Sequence, residues 1–182
     1  MLKIAKADRQ ERAEIFQIVS KEMGVPAVIV EKDFWVCYVL DYLFNRSEFK
    51  NNLLFKGGTS LSKCYSLINR FSEDIDLILD WREIGYSIDE PWHQRSNSKQ
   101  ERFKLETIER TNTYLLEKFI PTVNANLSNE LGYEMRIYLA KEDETVIIAY
   151  PKEFESSATL DVIRLEIDRK STRLNSSHGK LT

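Results

Sequence analysis

The sequence predicts an α/β domain in which a mixed sheet is flanked by helices. Two observations carry that prediction. Residues 53–79, LLFKGGTSLSKCYSLINRFSEDIDLIL, read in succession as a strand, a glycine turn, a helix and a second strand. On either side apolar residues recur at helical spacing, and three more strand-like runs follow toward the end. With 182 residues, 42% of them hydrophobic, the chain can bury one core, which fits a single domain.

The first helix is predicted over residues 6–23. Ile15, Ile18, Val19 and Met23 line one side, against Arg9, Arg12, Glu14 and Lys21, and Gly24 supplies a stop. Pro26 suits the first turn of a second helix running to about Phe44. That segment, PAVIVEKDFWVCYVLDYLF, is apolar around much of its circumference and reads as a core helix carrying a few solvated charges. Asn45–Asn52 is a polar connection.

Leu53–Lys56 is the short apolar run of a buried strand. Gly57 and Gly58 permit an approach that a Cβ would forbid, and Thr59 or Ser60 can cap a helix reaching about Ile68. A strand, glycine turn and helix aim free N–H groups at one point and suit an anion, with Ser60, Ser62 and Lys63 nearby. Then DIDLIL alternates, so Ile75, Leu77 and Leu79 take one face while Asp74 and Asp76 share the other. Two such carboxylates repel unless a cation lies between them. An oxygen-only set favours Mg²⁺ (or Mn²⁺), held together with substrate phosphates. Phosphate cradle and aspartate pair together read as nucleotide chemistry.

Residues 81–98 form a long irregular segment with Trp81, Trp92, His93 and Arg95. These side chains could stack on a base or meet phosphates; alternatively, the tryptophans anchor the loop. Helical spacing resumes through Phe103, Leu105, Ile108, Leu115, Leu116 and Phe119, with Pro121 expected to break or kink it and Gly132 ending a shorter helix at Leu131. Lys99, Arg102, Lys104 and Arg110 alternate with Glu101, Glu106 and Glu109, which reads as a solvated face rather than a platform for RNA. Strands are predicted at Tyr133–Leu139, Thr145–Tyr150 and Leu160–Ile167, the first two joined by a KEDE hairpin turn.

Composition narrows the classes. Net charge is −3 with 30% charged residues, so any contact with nucleic acid must be local. Cys37, Cys64, His93 and His178 lack metal-type spacing. No signal-peptide pattern opens the chain and no run reaches a membrane span, so a cytoplasmic protein is expected.

GGTSLSK followed by RFSEDIDL resembles the AbiEii/AbiGii nucleotidyltransferase toxins, a branch of the DNA polymerase β-like superfamily. The resemblance implies a polymerase β-like nucleotidyltransferase fold in which Gly57, Gly58 and Ser60 hold a triphosphate. Lys63 would neutralise it, and Arg70 and Ser72 would orient phosphate or the aspartate strand. Asp74 and Asp76 would coordinate Mg²⁺, with a third carboxylate on a later strand: Glu166, with Asp161 and Asp168 behind it. Relatives also carry the Glu31–Trp35 run, which in them could wall the nucleotide pocket. The implied partners are an NTP, an RNA acceptor such as the tRNA 3′ end, and a DNA-binding antitoxin encoded alongside. A catalytically inactive nucleotide-binding module is the alternative. An aspartate-nucleophile phosphatase fits poorly, since DIDLIL lacks the Thr or Val its motif needs and the Gly-Gly turn goes unexplained.

The resemblance covers residues 1–168, read as an incomplete catalytic domain. Residues 169–182, RKSTRLNSSHGKLT, have almost no apolar content. They are expected to be disordered, and STRLNSSH resembles translated adapter sequence, so the natural protein is expected to continue with helices.

Overall fold

The computed structural model describes residues 1–56, 74–140, 142, 144–155 and 162–168. Within them lie helices α1 (Leu2–Lys6), α2 (Arg9–Met23), α3 (Ala27–Asp41), α4 (Asn97–Tyr114) and α5 (Ile120–Leu131). The strands are β1 (Leu53–Lys56), β2 (Asp74–Leu79), β3 (Arg136–Leu139), β4 (Val146–Ala149) and β5 (Ile163–Asp168). They form one mixed sheet in the order β1-β2-β5-β4-β3, with β2 and β5 parallel and the other neighbours antiparallel. The α/β class, a mixed sheet with flanking helices, is as predicted.

Period-two alternation decides which face is packed. Leu53, Ile75, Leu77 and Leu79, Ile163, Leu165 and Ile167, and Val146 and Ile148 belong to one hydrophobic cluster, with Phe55 packed against it. Trp35, Val36 and Val39 of α3 join it, as do Val123 and Leu127 of α5. The opposite face carries Lys56, Asp74, Asp76, Arg164, Glu166 and Asp168. A parallel pair at the centre of the sheet therefore sets two acidic strands side by side.

Local chemistry shifts several predicted boundaries. The first helix is broken at Ala7–Asp8, because the Asp8 side chain caps α2 by accepting from the Glu11 N–H. Gly24 and Gly132 end α2 and α5 in the left-handed conformation. The interruption expected near Pro121 takes the form of a π-helical turn, Leu115–Phe119, between α4 and α5, and Pro121 falls in the first turn of α5, where its missing N–H costs little. The polar connection before β1 contains a 3₁₀ turn, Glu48–Asn51, that buries Phe49. β3 and β4 pair as a hairpin, starting later than predicted at Arg136 and Val146.

Two of the charges of α3 are not solvated, contrary to the sequence reading. Glu31 and Lys32 are both fully buried. Glu31 accepts the backbone N–H groups of Glu153 (2.6 Å) and Phe154 (3.4 Å), and Glu153 in turn lies 2.7 Å from Arg12 Nη2. Burial pushes the Glu31 carboxyl up to about 7 against those bonds. This run ties α2, α3 and the segment after β4 together.

Candidate active site

The polar face of the sheet is built rung by rung. β1 runs antiparallel to β2 and sets Lys56 opposite Asp76; β5 runs parallel and sets Glu166 opposite Asp76 from the other side. Lys56, Asp76 and Glu166 thus form one row across three strands. The next row pairs Asp74 with Arg164, and another pairs Ile78 with Asp168. Neighbouring strands lie about 4.8 Å apart, close enough for side chains of one row to interact directly.

Two cations already engage these carboxylates. Arg164 Nε lies 3.3 Å from Asp74 Oδ1, and its Nη2 lies 3.9 Å from Glu166 Oε1 and donates to Thr145 Oγ1 at 3.4 Å. Lys56 Nζ forms an ion pair with Asp168. Burial holds the Asp76 carboxyl above its usual range; Lys56 opposes that shift, and the negative charges of Asp74 and Asp168 add to it.

Beside this face opens a cavity of about 690 Å³. Lys56, Asp76, Glu166 and Asp168 line one side, and Gln100, Phe103, Lys104 and Thr107 of α4 line the other. Lys104, read from sequence as part of a solvated face, contributes to this wall while pairing with Glu101 at 2.6 Å.

The long loop is pinned to α4. Trp81 is buried and stacks on Phe103, with ring centroids 5.8 Å apart and planes 7° from parallel. The Arg95 guanidinium lies 3.9 Å from the Phe103 centroid, and Arg110 lies 4.4 Å from that of Tyr86. Trp81 is thus an anchor, while Trp92 is 43% exposed.

Of the residues predicted from sequence, Asp74, Asp76 and Glu166 come together on one face, and Asp168 joins them one row along. Gly57, Gly58, Ser60, Lys63, Arg70, Ser72 and Asp161 lie outside the described residues. Sequence reading missed Lys56 and Arg164. The signals were there: LLFK ends on a cation, and in IRLEID an arginine alternates with the acids.

Hard carboxylate oxygens in adjacent rows, with Asp76 crowded by like charges, are a donor set that fits Mg²⁺ or Mn²⁺. As the side chains stand, no three His, Cys, Asp or Glu groups among the described residues converge on one point. Asp74 is drawn toward Arg164 and Asp168 toward Lys56.

A family model described as "Nucleotidyl transferase AbiEii toxin, Type IV TA system" matches residues 38–173, which span all five strands. No curated protein and no solved structure matches the chain. Among the described residues, no helix is long and apolar enough to cross a membrane.

Proposed function

The chain belongs to the AbiEii nucleotidyl transferase toxin family of type IV toxin–antitoxin systems, and from that premise we propose that it transfers a nucleotide from an NTP to an acceptor hydroxyl on RNA, such as the tRNA 3′ end. The observation that supports this reading is the row in which Asp76 and Glu166 are register partners, with Asp74 on the same face.

In this mechanism Asp74, Asp76 and Glu166 would hold Mg²⁺ or Mn²⁺. The ion, when bound, lowers the pKa of the acceptor hydroxyl and stabilises charge on the phosphates. Gly57, Gly58 and Ser60 offer N–H and hydroxyl donors to the triphosphate, and Lys63, Arg70 and Ser72 steady its charge. The acceptor oxygen attacks the α-phosphorus, a new O–P bond forms, and the bond from that phosphorus to the bridging oxygen breaks. Pyrophosphate leaves with the electron pair, and the hydroxyl proton passes to water. No side-chain nucleophile takes part, so the chain's contribution is positioning and charge stabilisation. The cavity between the sheet and α4 is roomy enough for a nucleoside. The partner that restrains the toxin in the cell would be a DNA-binding antitoxin, and the site of action the cytoplasm.

A second reading has its own observation. Asp74 and Asp168 already sit in ion pairs with Arg164 and Lys56, as they would in a module that binds nucleotide without turning it over. Incubation with each α-labelled NTP, Mg²⁺ and total RNA separates the two. Label in RNA, lost in Asp76→Asn, supports transfer; saturable NTP binding without label in RNA supports the binding module.

A further inference from the structure

Lys56 ends β1 as the register partner of Asp76, and in the sequence it directly precedes Gly57 and Gly58. Its ammonium pairs with Asp168 and lines the same cavity as Asp76 and Glu166. Among the described residues, β2 and β5 set four carboxylates on this face (Asp74, Asp76, Glu166 and Asp168); two cations, Arg164 and Lys56, pair with them, and Arg136 lies on the same face at the far edge strand β3.

The two side-chain cations differ in how readily they can give way. Arg164 is held from several directions: by Asp74 at 3.3 Å, Glu166 at 3.9 Å and Thr145 at 3.4 Å. A guanidinium stays charged under all ordinary conditions and holds planar, multipoint contacts well. Lys56 carries a compact ammonium on a flexible stem at the edge strand, with its side chain one-third exposed. It can swing away from the carboxylates without moving backbone.

We propose that Lys56 is an internal counter-ion of the carboxylate face, which a divalent cation displaces when it binds. The inference rests on the metal reading of Asp74, Asp76 and Glu166. It makes Lys56 a positioning residue: it keeps four clustered carboxylates together in the metal-free protein and weakens the hold on the metal by competing for them. Removing its charge should therefore have opposite effects on the two states. The metal-free fold becomes less stable, and the metal binds more tightly.

The test is thermal unfolding of the wild type, Lys56→Met and Lys56→Gln, first in EDTA and then across a MgCl₂ or MnCl₂ titration without nucleotide. The expected result is a lower Tm for both variants in EDTA. Their rise in Tm on adding the ion should exceed that of the wild type, with half-saturation at a several-fold lower ion concentration. Lys56→Arg keeps the charge and should follow the wild type. If the wild type responds to the ion and both neutral variants respond identically to it, Lys56 is no counter-ion, and the metal reading stands without it. If no protein responds to either ion, the metal reading fails and takes the Lys56 proposal with it. Should Lys56→Met fail to fold even in EDTA, Lys56→Gln against Lys56→Arg gives the same comparison.

Discussion

Asp76 and Glu166 face each other as register partners across the parallel pair β2–β5, although ninety residues of chain separate them. That pairing sets Glu166 directly across from Asp76 in the register, while Asp168 is held by Lys56. Glu166→Gln should therefore abolish NTP transfer to RNA, a loss on the order of 10²–10³-fold for a preorganised electrostatic contact. Asp168→Asn should keep most of the transfer. The assay is initial rate of label incorporation, and equal losses in the two variants would remove Glu166 from its assigned role.

Asp76 gives a prediction about pH. Its carboxyl is raised by burial first, then by Asp74 and Asp168, so the folded protein disfavours the ionised form. A raised acid costs stability once pH exceeds its unfolded value, and that cost is complete above its folded value. Without a divalent ion, Asp76→Asn should thus melt higher than the wild type at neutral pH. The gap should close as pH falls through the carboxylate range. Transfer should be lost in the same variant. A lower Tm at neutral pH would contradict the like-charge crowding on this face.

Glu31 makes a second pH prediction from a different part of the molecule. Its carboxyl is raised to about 7 by burial and is fully shielded from solvent. The cost of ionising it begins near pH 4.5, grows to about pH 7 and then stays constant, reaching roughly 3 kcal/mol at most. Glu31→Gln keeps an acceptor for the Glu153 N–H and should gain stability over the wild type across that window. Glu31→Ala leaves buried N–H groups unmet and should lose about 1–3 kcal/mol. Urea unfolding at pH 5 and pH 8 reads both effects.

The two loop tryptophans should part company. Trp81 is buried against Phe103, and Trp81→Ala should cost about 3–5 kcal/mol. Trp92 is exposed, and Trp92→Ala should stay within about 0.5 kcal/mol. Chemical denaturation measures both. If Trp92→Ala weakens RNA or NTP binding at unchanged stability, that ring touches a ligand.

Much of this was legible in the sequence because short-range period carries it. DIDLIL and IRLEID each state which residues share a face, and the apolar helix before β1 announces its own burial. What period cannot state is which strands become neighbours. The parallel pairing of β2 with β5 rests on packing between segments far apart in the chain, and it alone brings Glu166 to Asp76. Buried Glu31 and Lys32 were misread for a related reason. Charge suggests solvent, whereas the backbone N–H groups that receive Glu31 belong to residues more than 120 positions away. Pro121 signals an interruption, but its form, a π turn over Leu115–Phe119, is not legible from the proline alone.

The central claim is that Asp74, Asp76 and Glu166 form one metal-dependent transfer site. The most direct measurement is the incorporation of each α-labelled NTP into total RNA, with Mg²⁺ or with EDTA, by the wild type and by Asp74→Asn, Asp76→Asn and Glu166→Gln. Labelled RNA is expected only from the wild type and only with the divalent ion, with all three variants still folded by circular dichroism. Undiminished labelling by the folded Asp74→Asn/Asp76→Asn double variant would contradict the claim.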